Sequence, residues 1–335
     1  MNYCINEIKN KLKNSQNVKN TVCFSIIIPV YYNEDTLMLL YHDMQQKILF
    51  EFDDYEIVMV DDGSKDSSWQ VMKEIKLLDD SHIKLVRLSK NFGEHAAILA
   101  GLNECTGDCA VTKQADLQED SELILEMYRS WENGNKVVLA VREERDESKI
   151  YQFFANLYYK LMRKFVDSNM PKGGFDCYLL DRKVIEVLKM FDEKNSALTL
   201  QVLWVGFQSD KIYFHRRARN IGKSRWTMSK KMKLIIDSLL SFSYAPIRFM
   251  SFCGFIFFII AIIGIIASVL EVVLVGTRSV GWASLMSVVL LTSGLIMLML
   301  GILGEYIWRT LDASRNRPPF LIDEICEQTP ISKED

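Results

Sequence analysis

Phe24-Ser25-Ile26-Ile27-Ile28-Pro29-Val30 is a short, nearly continuous apolar run dense in isoleucine, followed at once by the polar Tyr31-Tyr32-Asn33-Glu34. Runs of this length and composition form strands buried on both faces of a parallel sheet. Working outward, similar runs recur at 56–60, 83–88, 109–112 and 136–141. Helical patterns lie between them at 36–49, 67–78, 95–104 and 123–131. Strand and helix alternating four times over predict an open, mostly parallel α/β sheet. Ligands bind outside the C-terminal strand ends of such sheets, so polar residues there that the fold does not require are the candidates for chemistry.

Four strand ends carry such residues: Pro29-Val30-Tyr31-Tyr32-Asn33-Glu34, then Asp61-Asp62-Gly63-Ser64, then Asn91-Phe92-Gly93-Glu94-His95, and Gln114-Ala115-Asp116-Leu117-Gln118. Any one of them is ordinary turn chemistry. Four at one sheet edge point to a polar ligand.

The C-terminal third is built differently. No Asp, Glu, Lys or Arg occurs from Phe249 to Leu270 or from Ser279 to Gly304. Each run exceeds the ~20 residues needed to cross a bilayer core, so 249–304 is expected to be a transmembrane hairpin with spans at about 249–270 and 282–304. Lys230, Lys231, Lys233 and Arg248 precede it and Arg309, Arg315 and Arg317 follow it, whereas the turn holds only Arg278. This bias predicts both ends on the cytoplasmic side. Residues 229–248 read as an interfacial amphipathic helix and 305–335 as a cytoplasmic juxtamembrane helix and tail, with Tyr306 and Trp308 at headgroup level. Residues 1–21 are a polar extension without the features of a secretory signal. The chain averages these parts away: 335 residues, 40 Lys+Arg against 43 Asp+Glu, net charge −3 and 49% hydrophobic. A charge near zero gives no reason to expect nucleic acid as a partner. The seven cysteines have no metal-type spacing and are expected reduced in the cytosol.

The motifs SIIIPVYYNE, VMVDDGSKDSS, LSKNFGEHAAILAGL, ADLQ, GGFDCYLLDR and RNIGKSRW, in this order, resemble the inverting glycosyltransferases of family 2 with the GT-A nucleotide-sugar fold. Within that family the likeness is to the polyprenyl-phosphate glycosyltransferases, such as dolichyl-phosphate mannose synthases and undecaprenyl-phosphate glucosyltransferases. It extends over about residues 22 to 320 and implies a catalytic GT-A domain at 22–228. By resemblance Pro29, Tyr31, Glu34, Asp61, Asp62 and Gly63 bind the nucleotide. An Asp-X-Asp-X-Gln pattern in the family holds the divalent cation, Mg or Mn, that neutralises the departing diphosphate. Here Asp116 and Gln118 are kept but Gln114 replaces the first aspartate; an amide oxygen can ligate the cation without supplying charge. The resemblance places Asp176 in acceptor activation, and Arg142, Arg219 and Arg225 at phosphate groups. A phosphate monoester acceptor has its second pKa at ~6, so Asp176 need not be a strong base. For Asp181, capping of the following helix is the favoured role.

The resemblance thus implies single, inverting transfer from a nucleotide-diphosphate sugar, UDP-linked, to a polyprenyl phosphate on the cytoplasmic face of a bacterial inner membrane, by a homo-oligomer in contact with lipid. Processive relatives carry Gln three residues before the Arg-Trp pair; here that position is Gly222. Two alternatives stay open: transfer to another lipid or a glycan, and a non-catalytic membrane scaffold with a vestigial nucleotide site, to which Gln114 and Lys113 give weight.

Overall fold

The structure is a computed structural model and describes residues 23–143, 159–160, 162–164, 167–191, 197–215, 245–275 and 282–327. Arg219, Arg225, the polar extension at 1–21 and most of the stretch expected as an interfacial helix lie outside these residues. The chain divides into two units, one formed by residues 1–231 together with 318–335 and one by residues 232–317.

In the first unit the elements follow as β1 (Cys23–Val30), α1 (Leu37–Lys47), β2 (Asp54–Asp61), α2 (Ser68–Leu78), β3 (Ile83–Leu88), α3 (Glu94–Glu104), β4 (Cys109–Thr112), α4 (Leu123–Glu132), β5 (Val137–Arg142), β6 (Phe175–Asp181), α5 (Arg182–Leu188), α6 (Leu198–Trp204), β7 (Ser209–Phe214) and β8 (Ile322–Cys326). They make one eight-stranded sheet in the order β7-β5-β6-β4-β1-β2-β3-β8. β1 is central and buried along its whole length. Ile26, Ile28, Ile57 and Met59 meet Leu37, Leu40 and Met44 of α1 and Met72 and Ile75 of α2 in one core. Each fully buried aliphatic side chain contributes roughly 1.5–3 kcal/mol, which is why the isoleucine run governs the architecture. α3 packs on β1 and β2.

The sheet is mostly parallel, as expected, with two antiparallel exceptions. β6 runs between β4 and β5 and is antiparallel to both. β8 is antiparallel to β3 and closes that edge. Residues 322–326, expected as part of a tail, are therefore a strand of the same sheet.

The second unit holds α7 (Ala245–Val275) and α8 (Trp282–Ser314). Ile247–Gly264 has a mean hydropathy of 2.3 with 6% of it buried, and Leu291–Ser314 has 1.5 with 0% buried. Most of their described side chains are exposed. Both are long and apolar enough to cross a membrane. α8 runs unbroken through Tyr306 and Trp308 to Ser314, so 305–314 extends the second long helix. Arg315 lies 5.5 Å from the Trp308 ring.

Candidate active site

The β6 reversal assembles the site. β1, β2, β4 and β5 run in one direction and end at Val30, Asp61, Thr112 and Arg142, while antiparallel β6 begins at Phe175. Asp176 therefore stands at the same sheet edge as the strand ends that carry the polar segments.

At the β1 and β2 ends, the Asp62 N–H donates to the Val30 carbonyl (2.9 Å), tying the two turns together. Asp61 is fully buried; its Oδ1 accepts the Ser64 N–H at 2.9 Å and its Oδ2 lies 3.4 Å from Arg87 Nε. Burial raises its pKa against the pull of Ser64 and Arg87. Gly63 takes a left-handed φ of 68°, and a Cβ there would lie 2.6 Å from the Lys90 carbonyl carbon, so the turn accepts only glycine. Glu34 is exposed, and its Oε2 accepts the Ser67 N–H at the start of α2 (2.7 Å). Tyr31 and Tyr32 are half-buried and meet edge to face at 4.6 Å, and Tyr32 holds a φ of 58° with its N–H on Ser64 Oγ (3.1 Å). Pro29 lies inside β1, opposite Val60.

Asp62 is turned inward. Its oxygens accept the N–H groups of Phe92 (2.7 Å) and Gly93 (2.9 Å), so this carboxylate organises the loop that starts α3. Burial pushes its pKa up to about 6 despite those two hydrogen bonds. The sign of the resulting pH dependence follows. The folded chain keeps a proton that the unfolded chain releases near pH 4, so stability falls as pH rises through the window from about 4 to about 6, by at most about 3 kcal/mol. In detergent, the unfolding midpoint should drop across this window in the native chain and more shallowly in Asp62→Asn. Equal slopes would mean that Asp62 titrates normally.

After β4, the Asp116 Oδ1 accepts the Gln118 N–H at 3.2 Å in a tight turn whose middle residue, Leu117, has φ 58°. The turn is fastened on two sides: Thr36 Oγ1 donates to the Ala115 carbonyl (2.6 Å), and the buried Lys113 Nζ donates to the Glu119 carbonyl (2.6 Å). Lys113 thus braces the loop. Gln114 Nε2 donates to Glu94 Oε1 at 2.7 Å, a pairing across the site that the linear order of motifs does not reveal. Glu94 stands in a strand-end segment, and its position opposite an amide that replaces a carboxylate is the signal that could have singled it out. No group of three or more acidic, His or Cys residues suited to a metal occurs among the described residues.

At the β5 and β6 ends, Arg142 forms an ion pair with Asp176. The arginine side chain is 14% exposed and the aspartate 42%, so the pair opens on the carboxylate side. Thr112 Oγ1 donates to the Asp176 carbonyl (3.5 Å), linking the pair to the end of β4. Gly173 makes this approach possible, since a Cβ there would sit 2.0 Å from the Arg142 carbonyl oxygen. β5 is fixed between β6 and β7 and cannot retreat. Gly173→Ala is expected to cost about 1–3 kcal/mol and to part Arg142 from Asp176, read as a lower unfolding midpoint together with reduced turnover. Asp181, by contrast, caps α5 through the Lys183 N–H (3.1 Å) and also accepts from Trp131 Nε1 (3.0 Å) and Lys136 Nζ (2.9 Å).

The sheet edge thus gathers the Asp61–Asp62 turn, the Asp116 loop and the Arg142–Asp176 pair. The Glycosyl transferase family 2 model matches residues 25–189, and the chain belongs to that family. It is a glycosyltransferase. It is 33% identical over 302 residues to the uncharacterized glycosyltransferase YkcC of Bacillus subtilis, covering 90% of this chain and 93% of that protein. It is 28% identical over 302 residues to the prophage bactoprenol glucosyl transferase homolog of Escherichia coli, covering 90% and 98%. Among solved structures, the mannosyltransferase PcManGT of Pyrobaculum calidifontis, in complex with GDP-Man and Mn2+, is similar over 68% of this chain and 66% of that one, with a TM-score of 0.44 and 15% identity.

Proposed function

We propose that this glycosyltransferase moves one sugar from a UDP-sugar to a polyprenyl phosphate at the cytoplasmic membrane face, in a single inverting displacement. The observation that carries the reading is the Arg142–Asp176 pair, which puts a guanidinium and a carboxylate at the sheet edge that also carries the Asp116 loop. Relatives described as bactoprenol glucosyl transferases, 28% identical over about nine-tenths of this chain, support a polyprenyl acceptor. Bare helices α7 and α8 support a lipid-bound substrate. Strand β8, which follows α8 in the chain, belongs to the same sheet as the strands before α7, which supports a two-span hairpin with the sheet on one side. With the flanking lysines and arginines, this favours both ends in the cytoplasm.

In this reading an oxygen of the acceptor phosphate attacks the anomeric carbon, the bond from that carbon to the diphosphate oxygen breaks, and UDP leaves with the electron pair. Arg142 orients the incoming phosphate and Asp176 holds Arg142. The donor set of Asp116, Gln118 and Gln114 suits a hard cation such as Mg or Mn, which when bound neutralises the departing diphosphate. Tyr31 and Tyr32 offer an aromatic wall for the nucleoside beside the Asp61–Gly63 turn. The test is incubation of the purified chain with radiolabelled UDP-sugars and undecaprenyl phosphate. Label partitioning into organic solvent is expected with one donor. Label appearing only on diacylglycerol or a glycan, or no product at all, would overturn the reading.

A further inference from the structure

The amide at position 114 is the weak point of the proposed cation site, and its single hydrogen bond is informative. Nε2 of Gln114 is committed to Glu94 Oε1 at 2.7 Å, while no described residue donates to its Oε1. A carboxylate can accept only from the nitrogen side of an amide, so Glu94 fixes which way Gln114 faces. The hydrogen bond is also charge-assisted, and it pushes electron density toward the amide oxygen. Glu94 is held in place by its own element: it is the first residue of α3, where the helix dipole favours an anion, and Asp62 fixes the two preceding amides. Burial pushes the imidazole pKa of its neighbour His95 down, against the pull of Glu94. Lys113, next to Gln114, has its ammonium on the Glu119 carbonyl.

We propose that Glu94 is a positioning residue for the cation site: it turns Gln114 Oε1 outward as a ligand and supplies, one hydrogen bond away, the negative charge that an aspartate at 114 would have carried. This rests on the reading of Asp116, Gln118 and Gln114 as the site of the divalent cation. Groups that orient ligands in this way typically account for 10–100-fold in metal affinity.

The experiment is Mn2+ titration of the purified full-length chain, with and without UDP, read by the electron paramagnetic resonance of free Mn2+. Glu94→Gln is expected to weaken binding by about 10-fold. Gln114→Asp alone places two carboxylates in contact and should not tighten binding. The double variant Glu94→Gln/Gln114→Asp restores one carboxylate and one amide with their positions exchanged, and should recover native affinity or better. A merely structural role for Glu94 gives no such rescue. Native affinity in Glu94→Gln, or a double variant no better than the product of the two single effects, would overturn the proposal. Asp116→Asn separates the two levels: unchanged Mn2+ affinity there removes the cation site itself and the role of Glu94 with it. Lost affinity in Asp116→Asn beside unchanged affinity in Glu94→Gln removes Glu94 alone.

Discussion

Asp176→Asn is expected to lower sugar transfer by about 10²-fold or more while leaving the fold intact. The side chain is 42% exposed at the first turn of β6, and asparagine has its size, so no core packing is lost. Leaving the mostly buried Arg142 without its carboxylate should cost about 1–3 kcal/mol of stability, too little to unfold the domain. What changes is charge. The carboxylate that holds Arg142 at the sheet edge becomes neutral, and the guanidinium is released from its ion pair. An acceptor phosphate with its second pKa at ~6 brings its own negative charge, so the missing carboxylate acts on geometry more than on proton removal. The loss should therefore fall on kcat, with only a small change in KM for the donor, and it should persist at pH 8, where the acceptor is fully ionised. Arg142→Ala should instead raise KM for the lipid phosphate. Initial rates at saturating donor distinguish these patterns, and near-normal turnover in Asp176→Asn would remove this residue from the mechanism.

The contrast between what the sequence made plain and what it hid has a physical basis. β1 to β5 were legible because strands covered on both faces are mostly apolar, as Phe24–Val30 is almost throughout and as Ile83–Leu88 is around Lys84 and Arg87. β7 (SDKIYF) and β8 (IDEIC) are edge strands with half-exposed, alternating side chains, and short polar alternations of that kind also occur in loops. In β6 the aspartates stand out in the sequence, but its short Tyr178-Leu179-Leu180 core carries no sign of strand direction, so the reversal that brings Asp176 to the strand-end edge is visible only in the fold. The polar segments of the site were visible as residues, because strand ends are where an α/β sheet keeps its chemistry. Their partners were not. That Asp62 faces Phe92 and Gly93, and that Gln114 reaches Glu94, are contacts across 20 to 31 positions whose existence depends on the packed loop.

The second large effect is expected at Asp116. Asparagine in its place keeps an oxygen for the Gln118 N–H, so the turn around Leu117 survives and the unfolding midpoint should hold. In the proposed site, one negative charge then leaves the loop that would hold the cation. The cation binds less readily, charge developing on the leaving oxygen is less well compensated, and removing one preorganised electrostatic contact of this kind costs about 10²–10³-fold in rate, or roughly 3–4 kcal/mol. Asp116→Asn should therefore reduce transfer by that factor and shift the Mn2+ dose curve to higher concentration, with partial recovery at millimolar Mn2+. Asp176→Asn should show no such shift, since its deficit lies on the acceptor side. If both variants lost activity with the same Mn2+ dependence, the two aspartates would serve one function and the division of the sheet edge into donor and acceptor halves would fail. If Asp116→Asn turned over normally, charge neutralisation would have to come from arginines instead of a cation, with Arg142 the first to substitute.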